Sequence, residues 1–316
     1  MIMKDSYGRT IQYLRLSVTD LCNYRCIYCM PETGVYKKDH GDILSIEEMT
    51  QIVRAAHKLG INKIRLTGGE PLVRKGIVTL CENIKSIDSA IELGITTNGS
   101  LLAPMAKALK AAGVDRLNIS LDSPDPETFS KITRGGDPQD VLNGIKAAQE
   151  AGFDNIKINT VLLKGINEND IQDLMRLTRD SDIHVRFIEL MPLGVAKHWN
   201  QNRFMTTDTV EKYLPSDALL RIDGVARVYR LPHHKGTIGL ICPMSHSFCD
   251  MCNKIRVTSD GKLKPCLHSD QEIDLRGLRG EALEQAIKEG VKQKPESHRF
   301  GAAGSATERF MNEIGG

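Results

Sequence analysis

Three cysteines near the start of the sequence are the residues best suited to chemistry. Cys22, Cys26 and Cys29 have the spacing C-x3-C-x2-C in the segment LCNYRCIYCMP. Thiolate is a soft ligand that suits iron–sulfur clusters and zinc, and a four-iron cluster held only by protein uses four cysteines. Three cysteines leave one iron open, and an open coordination position distinguishes a reactive metal site from a structural one. We predict an iron–sulfur cluster that takes part in a reaction, with a zinc knuckle as the alternative.

A second cysteine triplet lies near the C-terminus. Cys249, Cys252 and Cys266 belong to SFCDMCNKIRVTSDGKLKPCL, and Cys242 precedes them in GLICPMSHSFC. A structural zinc ribbon needs a closed four-ligand site, for which Cys242 could supply the fourth thiol. If Cys242 instead reached a cluster on the triplet, no iron there would remain open. We expect Cys242 to be a buried thiol that leaves the triplet to hold its own metal centre.

The elements that position the first triplet follow from alternating strand and helix patterns. Strand-like runs occur at 13–19, 63–67, 92–97, 116–121, 155–162 and 184–190. Strand–helix repeats predict parallel strands with right-handed crossovers, and six units are fewer than the eight of a complete barrel. We predict an α/β fold in which residues 1–190 form an incomplete (β/α)6 barrel. Residues 191–316 would form a C-terminal extension that carries the second triplet and closes one end of the barrel.

Alternation along these strands separates an apolar face from a polar face. If the apolar faces pack against the helices, the polar faces point into the barrel, where ordinary barrels carry Val, Ile and Leu. The polar face includes Arg15, Arg65, Thr96, Asn118, Ser120, Lys157 and Asn159. Buried cations need an anionic partner, so we predict a ligand cavity for a polyanion such as a nucleoside triphosphate. The alternative is an antiparallel sheet with one solvated face.

Composition and charge restrict the class of protein. The sequence is 41% hydrophobic, and its 42 basic and 40 acidic residues give a net charge of +2, so it lacks the charge excess of a nucleic-acid-binding protein. No apolar run approaches the 18 residues of a membrane span, and the N-terminus lacks the apolar run of a signal peptide. We therefore expect a cytoplasmic protein that binds neither nucleic acid nor membrane.

These motifs resemble the radical S-adenosylmethionine (SAM) enzymes. The signature of that superfamily is this cysteine spacing with an aromatic residue just before the last cysteine, here Tyr28. The resemblance implies a [4Fe–4S] cluster whose open iron is chelated by S-adenosylmethionine. It also implies that the same cofactor is contacted by Gly69 in TGGEP, by Ser120 in LNISLDS and by Met191 after the sixth strand.

The two triplets together resemble one family within that superfamily, the GTP 3′,8-cyclases of molybdenum-cofactor biosynthesis. The matching blocks are LRLSVTDLCNYRCIYCMP at 14–31, IRLTGGEPL at 64–72, TTNG at 96–99, FIELMPLG at 187–194, the second triplet segment and the terminal GG. The resemblance implies a second [4Fe–4S] cluster on Cys249, Cys252 and Cys266, with an iron free to bind guanine. The GTP contacts that it implies are Arg15, Arg65, Thr96, Lys157, Lys254, Ile255 and Arg256.

The family resemblance also implies a reaction and partners. Reductive cleavage of S-adenosylmethionine gives a 5′-deoxyadenosyl radical that takes hydrogen from ribose C3′ of GTP, the carbon radical attacks guanine C8, and a further reduction completes the product. Gly315 and Gly316, otherwise a frayed end, would enter the active site, where Arg256 completes the last reduction or holds the substrate beside it. The implied partners are GTP, an electron donor and the downstream cyclic pyranopterin monophosphate synthase, and a homodimer stays open. The rival hypotheses are a peptide-modifying radical enzyme and an electron-transfer or zinc-stabilised binding module.

Overall fold

The computed structural model describes residues 2–36, 38–199, 201–298 and 304–315, which form a single mixed sheet flanked by helices. The first six strands are parallel, and each corresponds to a run predicted from the sequence. They are β1 (Tyr13–Ser17), β2 (Lys63–Thr67), β3 (Glu92–Thr97), β4 (Arg116–Ser120), β5 (Ile156–Leu162) and β6 (His184–Glu189). The predicted α/β partial barrel is confirmed, and the parallel register contradicts the antiparallel alternative.

The C-terminal extension adds strands at both edges of this six-stranded core. Its strands are β7 (Leu219–Asp223), β8 (Ala226–Arg230), β9 (Thr237–Ile241), β10 (Lys254–Val257), β11 (Lys262–Lys264) and β12 (Ile273–Asp274). Strand β9 pairs in parallel with β6, and β10 pairs in parallel with β1. The sheet order is β12-β11-β10-β1-β2-β3-β4-β5-β6-β9-β8-β7. The sequence predicts that the C-terminal extension closes one end of the barrel. In the structure, the extension instead adds strands to both edges of the six-stranded sheet.

The helices of the barrel pack against the apolar faces of its strands, and the short last helix belongs to the C-terminal tail. They are α1 (Ile46–Lys58), α2 (Ile77–Ile87), α3 (Leu102–Ala111), α4 (Pro126–Thr133), α5 (Pro138–Glu150), α6 (Ile171–Arg176), α7 (Asp208–Glu211), α8 (Gly280–Lys292) and α9 (Met311–Ile314). Helix α1 begins with a capping box, because the Ser45 hydroxyl accepts from the Glu48 N–H and the Glu48 carboxylate accepts from the Ser45 N–H. Within the described residues, no helix has the length and apolar character that a membrane crossing requires.

Alternate residues of the strands are buried against the helices, and the residues between them face the barrel interior. Leu14 and Leu16 on β1 and Ile64 and Leu66 on β2 are at most 1% exposed and belong to the main hydrophobic core. Because neighbouring residues on a strand point to opposite faces, Arg15 is directed into the barrel. Packing of the apolar residues against the helices therefore leaves the polar side chains in the barrel interior.

Candidate active site

The parallel strands enclose a cavity of about 540 Å³ whose described lining is strongly basic. Its lysines and arginines are Arg15, Lys63, Arg65, Arg116, Lys157, Arg186, Arg221, Lys254 and Arg256. Asp223 is the one carboxylate among the described lining residues, and it lies 3.3 Å from the Lys157 amine. A chain of near-neutral net charge therefore concentrates positive charge at one site, as the polar strand faces predict.

Three arginines of this cavity lie at the same level on adjacent strands. Arg15 is in register with Arg65 on β2 and with Arg256 on β10. Burial, and then repulsion from Arg15, lowers the pKa of Arg256 to about 9. Burial and Arg65 similarly lower the pKa of Arg186 to about 10. A bound polyanion would compensate the repulsion between these arginines. The cavity is therefore suited to phosphate groups.

Two buried oxygens beside the cavity also fit a ligand. Thr96 Oγ1 on β3 and Asn118 Oδ1 on β4 are buried, have no hydrogen-bond partner within the described residues and belong to residues that pair in register. A buried polar atom without a partner usually meets a water or a ligand. Thr96, predicted to contact the substrate, is nevertheless not among the residues that line the cavity.

The predicted residues of β10 divide between two faces. Lys254 and Arg256 line the cavity, whereas the Ile255 side chain is 1% exposed and packs in the hydrophobic core. This arrangement follows from strand alternation. Ile255 could therefore reach a substrate only through its main chain.

The first cysteine triplet lies in the loop after β1, at the carboxyl edge of the parallel strands. Cys22, Cys26 and Cys29 are each half-buried. Burial raises the pKa of Cys22 to about 11 and that of Cys29 to about 12. Without iron these thiols would stay protonated at neutral pH, whereas coordination stabilises the thiolate form.

Neither triplet has the geometry of a mononuclear site. No three His, Cys, Asp or Glu side chains within the described parts of the chain come close enough together to hold a single metal ion. Three cysteines in each loop are nevertheless the donor set that a [4Fe–4S] cluster with one open iron requires.

Two glycines at the end of β2 bring the main chain against the cysteine loop. The N–H of Gly69 donates to the Thr19 carbonyl and that of Glu70 to the Leu21 carbonyl, each at 2.8 Å. A Cβ atom at Gly68 would collide with Thr19, and one at Gly69 would collide with Leu21. Glycine is required here because backbone approaches backbone. Gly69, the predicted cofactor contact, is thereby fixed beside the first triplet.

Glu70 joins the ends of two strands to the same loop. Its buried carboxylate accepts from the Leu72 N–H at 2.9 Å, the Thr97 hydroxyl at 2.7 Å and the Asn98 N–H at 2.6 Å. Burial raises the pKa of Glu70 to about 7. The Asn98 amide lies 3.8 Å from the Cys22 sulfur. The contact links the GGEP and TTNG motifs, which the sequence alone does not connect.

The remaining predicted cofactor residues lie at other strand ends. The Tyr28 hydroxyl donates to Asp122 at 2.7 Å, and Asp122 also accepts from the Val161 N–H at 2.8 Å. Ser120 ends β4, and Met191 lies two residues after β6 and lines the cavity. These positions share the carboxyl edge of the sheet, where barrel active sites form.

The second triplet surrounds β10 and β11. Cys249 and Cys252 precede β10, and Cys266 follows β11; all three are half-buried. The Cys249 sulfur lies 2.9 Å from Nδ1 of His298 and 3.3 Å from the Ser247 hydroxyl. Met251 and Asn253, which flank Cys252, line the cavity. The cavity therefore reaches the second triplet.

Cys242 is buried, as predicted. Its thiol follows β9, lies 3.0 Å from the Thr207 hydroxyl and 3.6 Å from the Arg227 guanidinium, and joins the main hydrophobic core. These contacts explain the burial of the Cys242 thiol without a role in metal binding.

The C-terminal tail enters the carboxyl mouth of the barrel. Gly315 has φ 83°, and a Cβ atom there would collide with the Thr67 hydroxyl at the end of β2. The Arg256 guanidinium donates to the Gly315 carbonyl, and the Asn312 amide donates to the Asp20 carbonyl at 2.9 Å. Gly316, also predicted to act in the site, lies outside the described residues.

Several cavity residues were not singled out from the sequence. Arg186 alternates with the buried Val185 and Phe187 on β6, so the criterion that found Arg15 could have found it. Arg221 and Asp223 reach the cavity from β7, for which the sequence carried no comparable signal.

Comparisons with known proteins define the class first. Residues 16–178 match the family model for the Radical SAM superfamily, and residues 183–300 match the model Molybdenum Cofactor Synthesis C. The fold is similar to the crystal structure of SuiB from Streptococcus suis, with a TM-score of 0.65 at 14% identity over 92% of this chain and 68% of that one. The fold and the first triplet are thus those of a radical SAM enzyme, a class that uses a [4Fe–4S] cluster and S-adenosylmethionine.

Curated relatives then specify the family. The GTP 3′,8-cyclase of Alkaliphilus metalliredigens is 49% identical over 99% of this chain and 100% of its own length. That of Peptoclostridium acidaminophilum is 48% identical over 100% of this chain and 98% of its own. The chain belongs to the GTP 3′,8-cyclase family, as the cysteine triplets and sequence blocks predict.

Proposed function

We propose that this chain converts GTP into (8S)-3′,8-cyclo-7,8-dihydroguanosine 5′-triphosphate, the first step of molybdenum-cofactor biosynthesis. The observation that carries the proposal is the basic cavity, which lies within the barrel and extends to Met251 and Asn253 beside the second triplet. A guanine at that end and a triphosphate among the arginines would satisfy both the open iron and the buried cations. Two of the nine cations, Lys63 and Arg116, pair with Glu92, and the others favour a compact polyanion over an extended peptide.

Two sets of residues would hold the cofactors. Cys22, Cys26 and Cys29 would bind the cluster that S-adenosylmethionine completes, with Tyr28, Gly69, Ser120 and Met191 around that cofactor. Cys249, Cys252 and Cys266 would bind a second [4Fe–4S] cluster that is open to guanine. When bound, the first cluster and S-adenosylmethionine supply the radical chemistry.

The side chains of the cavity would bind and orient GTP. Arginine forks hold phosphate oxygens in pairs, and lysine contributes a point charge. Arg15, Arg65, Lys157, Lys254 and Arg256 would take these roles, Thr96 would give its hydroxyl, and Ile255 would contribute its main chain. Arg256, which already holds Gly315, would connect the substrate to Gly315 and Gly316.

The remaining parts of the proposal concern the cellular setting. An electron donor must reduce the clusters, and the product is the substrate of cyclic pyranopterin monophosphate synthase. We place the reaction in the cytoplasm, with residues 1–190 as the radical SAM part and 191–316 as the substrate-cluster part of each chain, whether monomer or homodimer.

Anaerobic reconstitution tests the proposal. We expect about eight irons per chain, from two four-iron clusters. The release of 5′-deoxyadenosine should require GTP, and ATP is the matched control because it carries the same triphosphate on another base. About four irons with one zinc, or release that is indifferent to GTP, would contradict it.

A further inference from the structure

The C-terminal tail, residues 304–315, is attached to the rest of the molecule through Arg309. Its guanidinium contacts both carboxylate oxygens of Glu272, at 2.6 and 2.8 Å, and both of Asp260, at 3.2 and 3.0 Å. The three side chains are only 17%, 23% and 18% exposed, respectively. Paired contacts between arginine and carboxylate fix direction as well as distance. Arg309 is therefore held in one orientation.

Both carboxylates lie near the second triplet in the sequence. Asp260 lies in the turn between β10 and β11, between Cys252 and Cys266, and Glu272 directly precedes β12. The fully buried Lys264 supports the same contact, because its amine lies 3.3 Å from Glu272 and donates to the Thr307 hydroxyl at 3.2 Å.

The same cluster extends to the loop of the first triplet. Lys38 lies 3.3 Å from Asp260 and 3.7 Å from Asp20, which is two residues before Cys22. Asn312, three residues after Arg309, binds the Asp20 carbonyl. The tail is thus fastened to both cysteine loops before its end meets Arg256.

We propose that Arg309 is a positioning residue for the reaction, whose contacts with Asp260 and Glu272 fix how deeply Gly315 enters the barrel beside Arg256. Its effect on turnover rests on the proposed function. The short helix α9 separates Arg309 from Gly315, so a change in the anchor is transmitted over one turn of helix. Small errors in the position of active-site groups reduce rates by large factors.

Hydrogen exchange and turnover test this role in the reconstituted protein. We expect Arg309→Gln to speed amide exchange of residues 310–315 and to lower GTP-dependent release of 5′-deoxyadenosine, each by about tenfold or more. Iron content and the KM for S-adenosylmethionine should not change. Arg309→Lys should give intermediate values, and it serves as the test if the glutamine variant does not fold. Glu308→Gln is the matched control, because Glu308 is 88% exposed and pairs only with Lys197 in the described structure.

A mutant cycle identifies the partners. The double variant Asp260→Asn/Glu272→Gln should have at least the effect of Arg309→Gln, because it also removes partners of Lys38 and Lys264, and adding Arg309→Gln to it should alter neither measurement further. Unchanged tail exchange in Arg309→Gln, or additive effects in the triple variant, would overturn the inference. Wild-type protein that ignores GTP would instead contradict the proposed function, because the exchange measurement needs no turnover.

Discussion

Arg256 carries two interactions at once. It lies on the interior face of β10 in register with Arg15, and it binds the carbonyl of Gly315. Burial lowers its pKa to about 9, which still leaves the guanidinium charged at neutral pH, and a substrate phosphate would offset the cost of burying that charge. A single guanidinium therefore couples the basic cavity to the tail.

Replacement of Arg256 by alanine should impair both interactions. We expect kcat/KM for GTP to fall by about 10- to 100-fold, since a hydrogen bond to a charged group contributes about 1.5–3 kcal/mol. The measurement is GTP-dependent release of 5′-deoxyadenosine. The control is Arg230→Gln, because Arg230 is exposed at the end of β8 and binds only the Lys235 carbonyl among the described contacts. A wild-type kcat/KM in the Arg256→Ala variant would show that Arg256 does not act in the site.

Strand ends form the site, and buried contacts between loops fix their geometry. The end of β2 contacts the first cysteine loop through Gly69 and Glu70, and Glu70 connects it to Asn98 after β3. Because strand side chains alternate, Arg15, Arg65 and Lys157 could be placed in the interior from the sequence alone. Strand alternation does not predict how far each of these side chains extends into the barrel interior. Arg65 extends across β3, where a Cβ atom at Gly94 would collide with its guanidinium.

Glu70→Gln tests whether these loop contacts support the first cluster. The new amide would face the Asn98 N–H, and an unsatisfied buried donor costs about 1–3 kcal/mol. We expect a lower free energy of unfolding and incomplete iron loading, measured by denaturation and iron analysis. Glu150→Gln is the control, because Glu150 is exposed on α5. Full loading with unchanged stability would show that the loop is held by other contacts.

The pairing partners of the extension strands could not be predicted from the sequence. Strands β9 and β10 are short and lack helical spacers, and each pairs with a strand far away in the chain. Periodicity identifies a face but not a distant pairing partner. The positions of Arg221 and Asp223, and the contact between Arg309 and Asp260, depend on those pairings and could not be predicted.

At the scale of the whole molecule, charge is distributed unevenly. The chain has a net charge of +2, yet its cavity collects nine cations around a single described carboxylate. Apolar strand faces and helices surround this cavity, and such a low-dielectric surrounding strengthens electrostatic attraction. The molecule thus offers a site for a highly charged ligand that extends to the second cysteine triplet.

This distribution predicts that affinity depends on the number of phosphates. We expect KM to rise in the order GTP, GDP, GMP. Raising the ionic strength from about 0.05 to about 0.5 M should increase the KM for GTP several-fold while changing that for GMP less, because salt screens the charge interaction. Steady-state assays with the three nucleotides provide the measurement. Equal salt dependence for GTP and GMP would indicate that the arginines do not bind the phosphates.

The most direct test follows the hydrogen that leaves the substrate. GTP carrying deuterium at ribose C3′ would be given to the reconstituted protein, and the 5′-deoxyadenosine would be analysed by mass spectrometry. If the nucleotide binds in the basic cavity and is cyclised there, deuterium appears in the 5′-deoxyadenosine. Release of 5′-deoxyadenosine without deuterium would contradict the proposed reaction.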